Sequence, residues 1–232
     1  MTSMRRGAKA LGLFLSLCGV MAVFAAGAQG NWLVEGAELT TNETVAVKAA
    51  STLKIVVAAK NLEIQCTTAA SEGLKLIAKS ATAEGKIKFS SCKAFSPPGS
   101  GKESKNCNPK EPIVAGGKVL IILHNGINYL LYEPAAGGTK FTTIEFPELC
   151  ALTETSDVTG SAVFECGHLN PPGTWLILDC ATAETSHEAR EAPSALFPSD
   201  TVKFGANAAT ISGYVVTELA GANAGKNWAG HV

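Results

Sequence analysis

Four histidines are spread over 232 residues, aromatics make up 6%, and no Cys-x-x-Cys occurs anywhere in the chain. Without Cys-x-x-Cys there are no close soft-ligand pairs for a structural zinc and no ordinary redox dithiol. There is no Gly-x-Ser-x-Gly, so the strained serine elbow of an α/β-hydrolase is excluded. No Gly-x-Gly-x-x-Gly follows an apolar run, which excludes a dinucleotide fold of the usual kind. Gly99-Ser100-Gly101-Lys102 resembles the end of a phosphate loop, but Glu103 stands where a hydroxyl must hold magnesium. His187-Glu188-Ala189-Arg190-Glu191 starts like the zincin helix and ends on Glu191, not the second imidazole. His124 precedes a turn and reads as an exposed edge residue. His231 is next to last and is expected to fray. These motifs predict no catalytic residues, no metal ligands and no cofactor.

Long apolar runs are also missing after residue 28, so no transmembrane segment is expected beyond that point. Before it, Arg5, Arg6 and Lys9 precede an uncharged stretch from Ala10 to Ala26, and Ala26-Gly27-Ala28 is a small-x-small cleavage signal. That is the pattern of a secretory signal peptide over 1–28, and the expected location is secreted or cell-surface. A lipoprotein box at Cys18 would need a small residue where Leu17 stands. Cleavage removes three of 19 Lys+Arg and none of 20 Asp+Glu, leaving a net charge of about −4. A mildly acidic product without a basic cluster lacks the electrostatic footprint of a nucleic-acid binder.

Removing the signal also removes Cys18 and leaves six cysteines: Cys66, Cys92, Cys107, Cys150, Cys166 and Cys180. An even count in an exported chain reads as disulfides, with 15 possible pairings. Proximity suggests Cys92 with Cys107, closing the polar loop FSSCKAFSPPGSGKESKNCNP, and Cys166 with Cys180, closing CGHLNPPGTWLILDC. Cys66 would then tie to Cys150. The rival is zinc at Cys166, His168 and Cys180, which lacks the second close pair.

What the chain has in quantity is β signal. Short runs rich in Val, Ile, Thr and Phe recur between Gly, Pro and Asn turns, as in TVAVKAA (44–50), TLKIVVAA (52–59), LEIQCTT (62–68) and GLKLIAKS (73–80). GKIKFSSC (85–92) alternates with period two, the mark of a half-buried strand. In KVLIILHNGINYLLYE (118–133), Asn125-Gly126 between apolar runs predicts a hairpin with a type I′ turn. Both its faces are apolar, which predicts a central position. VTGSAVFEC (158–166) and ATISGYVVTEL (209–219) each read as one strand. AETSHEAREA (183–192) is the one helix candidate, capped by Ser186 and ended by Pro193. The expected fold is all-β: an antiparallel sandwich or barrel-like domain over 29–232, with disulfides and at most one short helix. Residues 181–200 are the best place for an internal boundary.

The order LEIQC, GKIKFSSC, Cys-Asn-Pro, TTIEFPELCALTETSDVTGS, then VKFGANAATISGYVVTELAG and NWAG resembles a family of uncharacterised exported proteins from high-GC actinobacteria. The resemblance spans most of the mature chain and rests on strand and cysteine order, not on a catalytic motif. It implies the compartment and the β fold and brings no activity. Cys166 and Cys180 are additional to that family's usual cysteines, which supports their pairing with each other.

Three functional classes stay open on this reading. A non-catalytic exported structural or interaction protein fits the architecture best. A small-ligand or glycan-binding module would need an exposed aromatic cluster, drawn from Trp32, Trp175 and Trp228, each of which reads otherwise as capping an edge of the core. A hydrolase would need Glu145, Glu148, Glu154 or Asp157 to face one another in a cleft with a raised pKa. Lys93, Lys102, Lys105 and Lys110 give the polar loop a positive charge. It reads first as solubility and second as contact with an anionic cell-wall polymer or a surface protein.

Overall fold

The computed structural model describes residues 30–151, 155–170, 173–198 and 201–232. The expected signal peptide over 1–28, Cys18, Gln29 and Glu154 lie outside them. The strands in chain order are β1 (Asn31–Val34), β2 (Ala37–Glu38), β3 (Glu43–Ala49), β4 (Leu53–Val57), β5 (Leu62–Leu76) and β6 (Thr82–Phe95). They continue with β7 (Ile113–His124), β8 (Ile127–Pro134), β9 (Lys140–Glu145), β10 (Thr155–Gly160), β11 (Ala162–Asn170) and β12 (Thr174–Leu178). The last are β13 (Ser186–Glu191), β14 (Val202–Phe204), β15 (Asn207–Ser212), β16 (Tyr214–Leu219) and β17 (Trp228–His231). Among the described residues the only helical pieces are three 3₁₀ turns of three residues each.

The fold is all-β. Eight antiparallel strands close into a barrel in the order β3-β16-β13-β11-β8-β7-β6-β5, with β5 returning to pair with β3. Closure leaves the barrel no open edge. The residues that line it alternate along each strand, as the pleat requires. Val215 opposes Ala189 and Ala189 opposes Cys166, so all three share a face. The β7–β8 hairpin turns at Asn125 (φ 51°) and Gly126 (φ 80°), both left-handed as a type I′ turn demands. Its outer face is covered by a small cluster of Tyr129, Val163 and Ala192 with Phe197 against them, which explains why the hairpin is apolar on both faces.

A second group of strands, β4-β15-β14-β10-β9, extends the sheet from β5. β5 serves both parts. Its first residues, Leu62 to Cys66, pair with β4, while Ala70 to Leu76 pair with β3. Between this outer sheet and the barrel lies the larger core, where Phe141, Ile144, Phe146, Val158 and Phe204 meet Ile64, Cys66, Cys92, Ile113 and Ala115. A smaller core sits where the three-stranded sheet β17-β1-β2 packs against the barrel. Trp32 and Trp228 lie with ring centroids 5.9 Å apart over Val45, Leu76, Ile121 and Leu219. Each such side chain, fully buried, contributes roughly 1.5–3 kcal/mol.

Five sequence expectations about the strands change. LEIQCTT and GLKLIAKS are not two strands but one, β5, with a register shift against β6 between Glu72 and Lys75. Residues 183–192 hold a strand in place of a helix, because β13 is paired on both sides, by β11 and β16, and those ladders outweigh local helix preference. VTGSAVFEC is two strands in different parts, β10 in the outer sheet and β11 in the barrel. ATISGYVVTEL divides in the same way at Gly213 (φ 98°) into β15 and β16. His231 does not fray, since it pairs with Asn31.

The disulfides are Cys66–Cys92, Cys107–Cys150 and Cys166–Cys180. The last is as expected. The Cys92–Cys107 and Cys66–Cys150 pairings are corrected. Cys66 and Cys92 are directly opposed in the β5–β6 ladder, so register brings them together and Cys107 is left to reach across to Cys150 in the loop after β9. The polar loop is therefore not stapled at its own base. It folds back along the part of β6 that β7 leaves unpaired. Glu111 accepts from the backbone N–H groups of Ser91 and Cys92, and the Asn108 side-chain oxygen Oδ1 accepts from Ala94 N–H at 2.8 Å. Side chains thus satisfy a strand edge that would otherwise be buried unpaired.

Candidate functional site

The barrel is not filled. A cavity of about 240 Å³ lies between its inner face and the outer sheet. Val119, Leu130, Ala162 and Ala189 supply the barrel wall, and Ile55, Phe141, Ile144 and Ile211 the opposite one. Eight-stranded barrels are about the width at which side chains either fill the interior or leave room for one small ligand. Small residues tip this barrel toward the second outcome: Ala115, Ala162 and Ala189 all line the space.

Its lining is almost wholly aliphatic and aromatic, and the few polar groups are mostly engaged elsewhere. Lys54 pairs with Glu63 at 3.4 Å. Thr217 donates to the His187 carbonyl at 3.2 Å and Thr142 to that of Thr143 at 3.4 Å. Tyr214 turns its ring to Trp175, 5.7 Å away. The exception is Tyr132. Its ring stacks on Phe141 at 4.7 Å and meets the edge of Phe164 at 6.4 Å, and its hydroxyl is occluded with no hydrogen-bond partner. Burial pushes that hydroxyl's pKa far above the ordinary tyrosine value, so it remains a protonated donor. Gly117 makes the ring's position possible. A Cβ there would come within 2.4 Å of the tyrosine ring.

At the junction of barrel and outer sheet, Glu191 accepts from Ile211 N–H at 3.0 Å, and burial raises its pKa against the lowering effect of that bond. On the barrel's outer face, Arg190 donates to the fully buried Glu165 at 2.6 Å and lies over the Trp175 ring at 4.6 Å. Gly167 lies against the same indole. Trp175 is therefore sandwiched and offers no free platform. Trp32 and Trp228 are buried core residues, as the core-capping reading expected.

The sequence candidates fall apart in space. Glu145 pairs with Lys110 at 3.2 Å on an exposed face, and Asp157 with Lys140 at 2.9 Å. Hydrogen bonds from Thr143 and Lys140 lower the Asp157 pKa, the reverse of what a general acid needs. Glu148 is exposed. Cys166 and Cys180 bond to each other, and His168 pairs with Glu184 at 3.1 Å. His124 is half-buried against Phe197, at 4.8 Å. Of the four loop lysines, Lys93 pairs with Glu103 and Lys110 with Glu145, which weakens the positive patch. Among the described residues, no group of three or more His, Cys, Asp and Glu gathers as a metal site would require.

Tyr132 and the cavity escaped the sequence reading. The signal present was Gly116-Gly117 within an otherwise bulky hairpin that also carries Tyr132, but a register is needed to see that Gly117 lies beneath the ring. Compared with known proteins, the chain matches no family model, no curated protein and no solved structure.

Proposed function

We propose that the chain is an exported, non-catalytic protein that binds one small apolar molecule in the barrel cavity. The observation that carries this is the closed barrel with an apolar space left unfilled. Natural interiors pack to crystal-like density, and voids of this size are few. A cavity costs stability in proportion to its volume, and an occupant restores the lost contacts. By scaling from the roughly 150 Å³ cavity that holds benzene, about 240 Å³ takes a ligand of roughly ten heavy atoms. Export is supported by the leader-like first 28 residues and by three disulfides, which persist in oxidising compartments. Membership of the actinobacterial family belongs to the same proposal.

Titration calorimetry with n-butylbenzene is the test. Binding with a negative heat-capacity change is expected in the native protein, and its loss in Ala115→Leu, which projects into the space. Equal binding in the variant would move the ligand out of the cavity, and no binding to the native protein would sink the reading. The mass of the secreted product, expected to start at Gln29, tests export.

A second reading keeps the chain as an interaction module and is carried by β12. Among the described residues this strand pairs with β11 alone, and Leu169, Leu176 and Ile177 are each more than 40% exposed on the hairpin. A free apolar edge invites pairing with the same edge of a second copy. Sedimentation of the native protein against Leu176→Ser/Ile177→Ser decides it: a dimer lost in the variant supports this reading, and a native monomer rejects it.

A further inference from the structure

The one polar group left over in the cavity points to the ligand's chemistry. Register places Tyr132 opposite Val119 on one side and Ala162 on the other, and both of those side chains line the space. The hydroxyl is shielded from solvent, yet nothing in the protein accepts from it. Buried polar groups are nearly always satisfied, and one left unmade weakens the state that contains it. The neighbouring threonines illustrate the contrast, because each finds a backbone carbonyl. Phenylalanine would fill the same volume without an orphaned donor. The hydroxyl therefore has no packing role within the protein that phenylalanine would not serve better.

We propose that Tyr132 donates a hydrogen bond to a single acceptor oxygen of the bound molecule, making the ligand class a compact oxygenated hydrocarbon: a ketone, ester, ether or alcohol with an apolar body. This rests on the cavity reading above. The hydroxyl sets orientation and selects for an acceptor, while the aliphatic wall supplies most of the affinity. An acidic ligand is disfavoured, because the one cation among the described lining residues, Lys54, is already held by Glu63.

The test uses two probes of nearly equal size, n-butylbenzene and butyrophenone, titrated into the native protein and into Tyr132→Phe. The native protein is expected to favour the ketone over the hydrocarbon about fivefold to tenfold more than the variant does, the ratio a net hydrogen bond of ordinary strength gives. The carbonyl stretch of butyrophenone in the native protein is expected at lower frequency than in hexane, a readout independent of how the variant folds. If n-butylbenzene binds, the preference is the same in both proteins and the carbonyl band is unshifted, the tyrosine inference is overturned and the cavity reading stands. If neither probe binds the native protein, the cavity reading falls and takes the inference with it.

Discussion

Arg190 on β13 and Glu165 on β11 are directly opposed, and the Arg190 Nε–H donates to a Glu165 oxygen across 2.6 Å. The glutamate side chain is fully buried while the arginine side chain is 38% exposed. Removing the arginine leaves a buried charge without its partner, a change that costs roughly 3–5 kcal/mol when both groups are buried. Because water can follow into the vacated place, Arg190→Met should destabilise by about 3 kcal/mol. The Glu165→Gln/Arg190→Met double variant should recover most of that loss. Guanidinium denaturation of the three proteins checks both statements.

Gly117 and Tyr132 set the size of the cavity together. Gly117→Ala places a methyl 2.4 Å from the ring and 2.7 Å from the backbone oxygen of Glu133, so the ring must leave β7. The expected cost is about 1–3 kcal/mol, as for other overpacked sites. Binding of n-butylbenzene should weaken at the same time. A variant as stable as the native protein, with unchanged binding, would show that the ring is not confined there.

His187 and Glu191 give stability opposite slopes with pH. Burial lowers the His187 pKa, against the hydrogen bond to the Trp228 carbonyl and the nearby Glu184 charge, which raise it. The unfolded chain therefore binds the proton more readily. The contribution is fully present above about pH 6.5 and is lost as pH falls toward the lowered folded value. His187→Gln should flatten this decline.

For Glu191 burial raises the pKa, so the folded state binds the proton more readily. Its ionised form is a burden at neutral pH that is relieved as pH falls through the raised folded value. Glu191→Gln keeps an acceptor for Ile211 N–H and should raise stability at pH 7. Thermal denaturation from pH 5 to 8 separates the two variants.

Peptide mapping under non-reducing conditions should recover Cys66 joined to Cys92, Cys107 to Cys150 and Cys166 to Cys180. The Cys107–Cys150 bridge spans 43 residues, a closure worth about 4 kcal/mol in the chain-entropy model. Replacing both cysteines by alanine should lower stability by that order and free the polar loop. A Cys92–Cys107 peptide would contradict the β5–β6 register.

Much of the sheet was legible because its signals are local. Asn125-Gly126 permits the left-handed turn, and the alternation in GKIKFSSC marks one buried face, whatever lies elsewhere. SHEARE was misread because its buried positions, His187 and Ala189, are neither β-branched nor strongly apolar. Only pairing with β11 and β16 gives that segment its shape. The breaks at Gly160 and Gly213 were missed for a related reason. A strand that leaves the outer sheet for the barrel keeps its β composition, and nothing in its residues says that its neighbours have changed.

Residue composition and local pattern set the β content, the turn chemistry, an even set of six cysteines after the leader-like segment, and the lack of familiar catalytic motifs. Each of these is a property of a residue and its near neighbours. Tertiary structure alone decided which cysteines join, that the sheet closes into a barrel, and that a void remains beside Tyr132. Pairing and volume depend on register between strands far apart in the chain. Cys66 meets Cys92 because β5 and β6 align in one register, and Tyr132 has room because Gly117, diagonal to it on β7, carries no side chain.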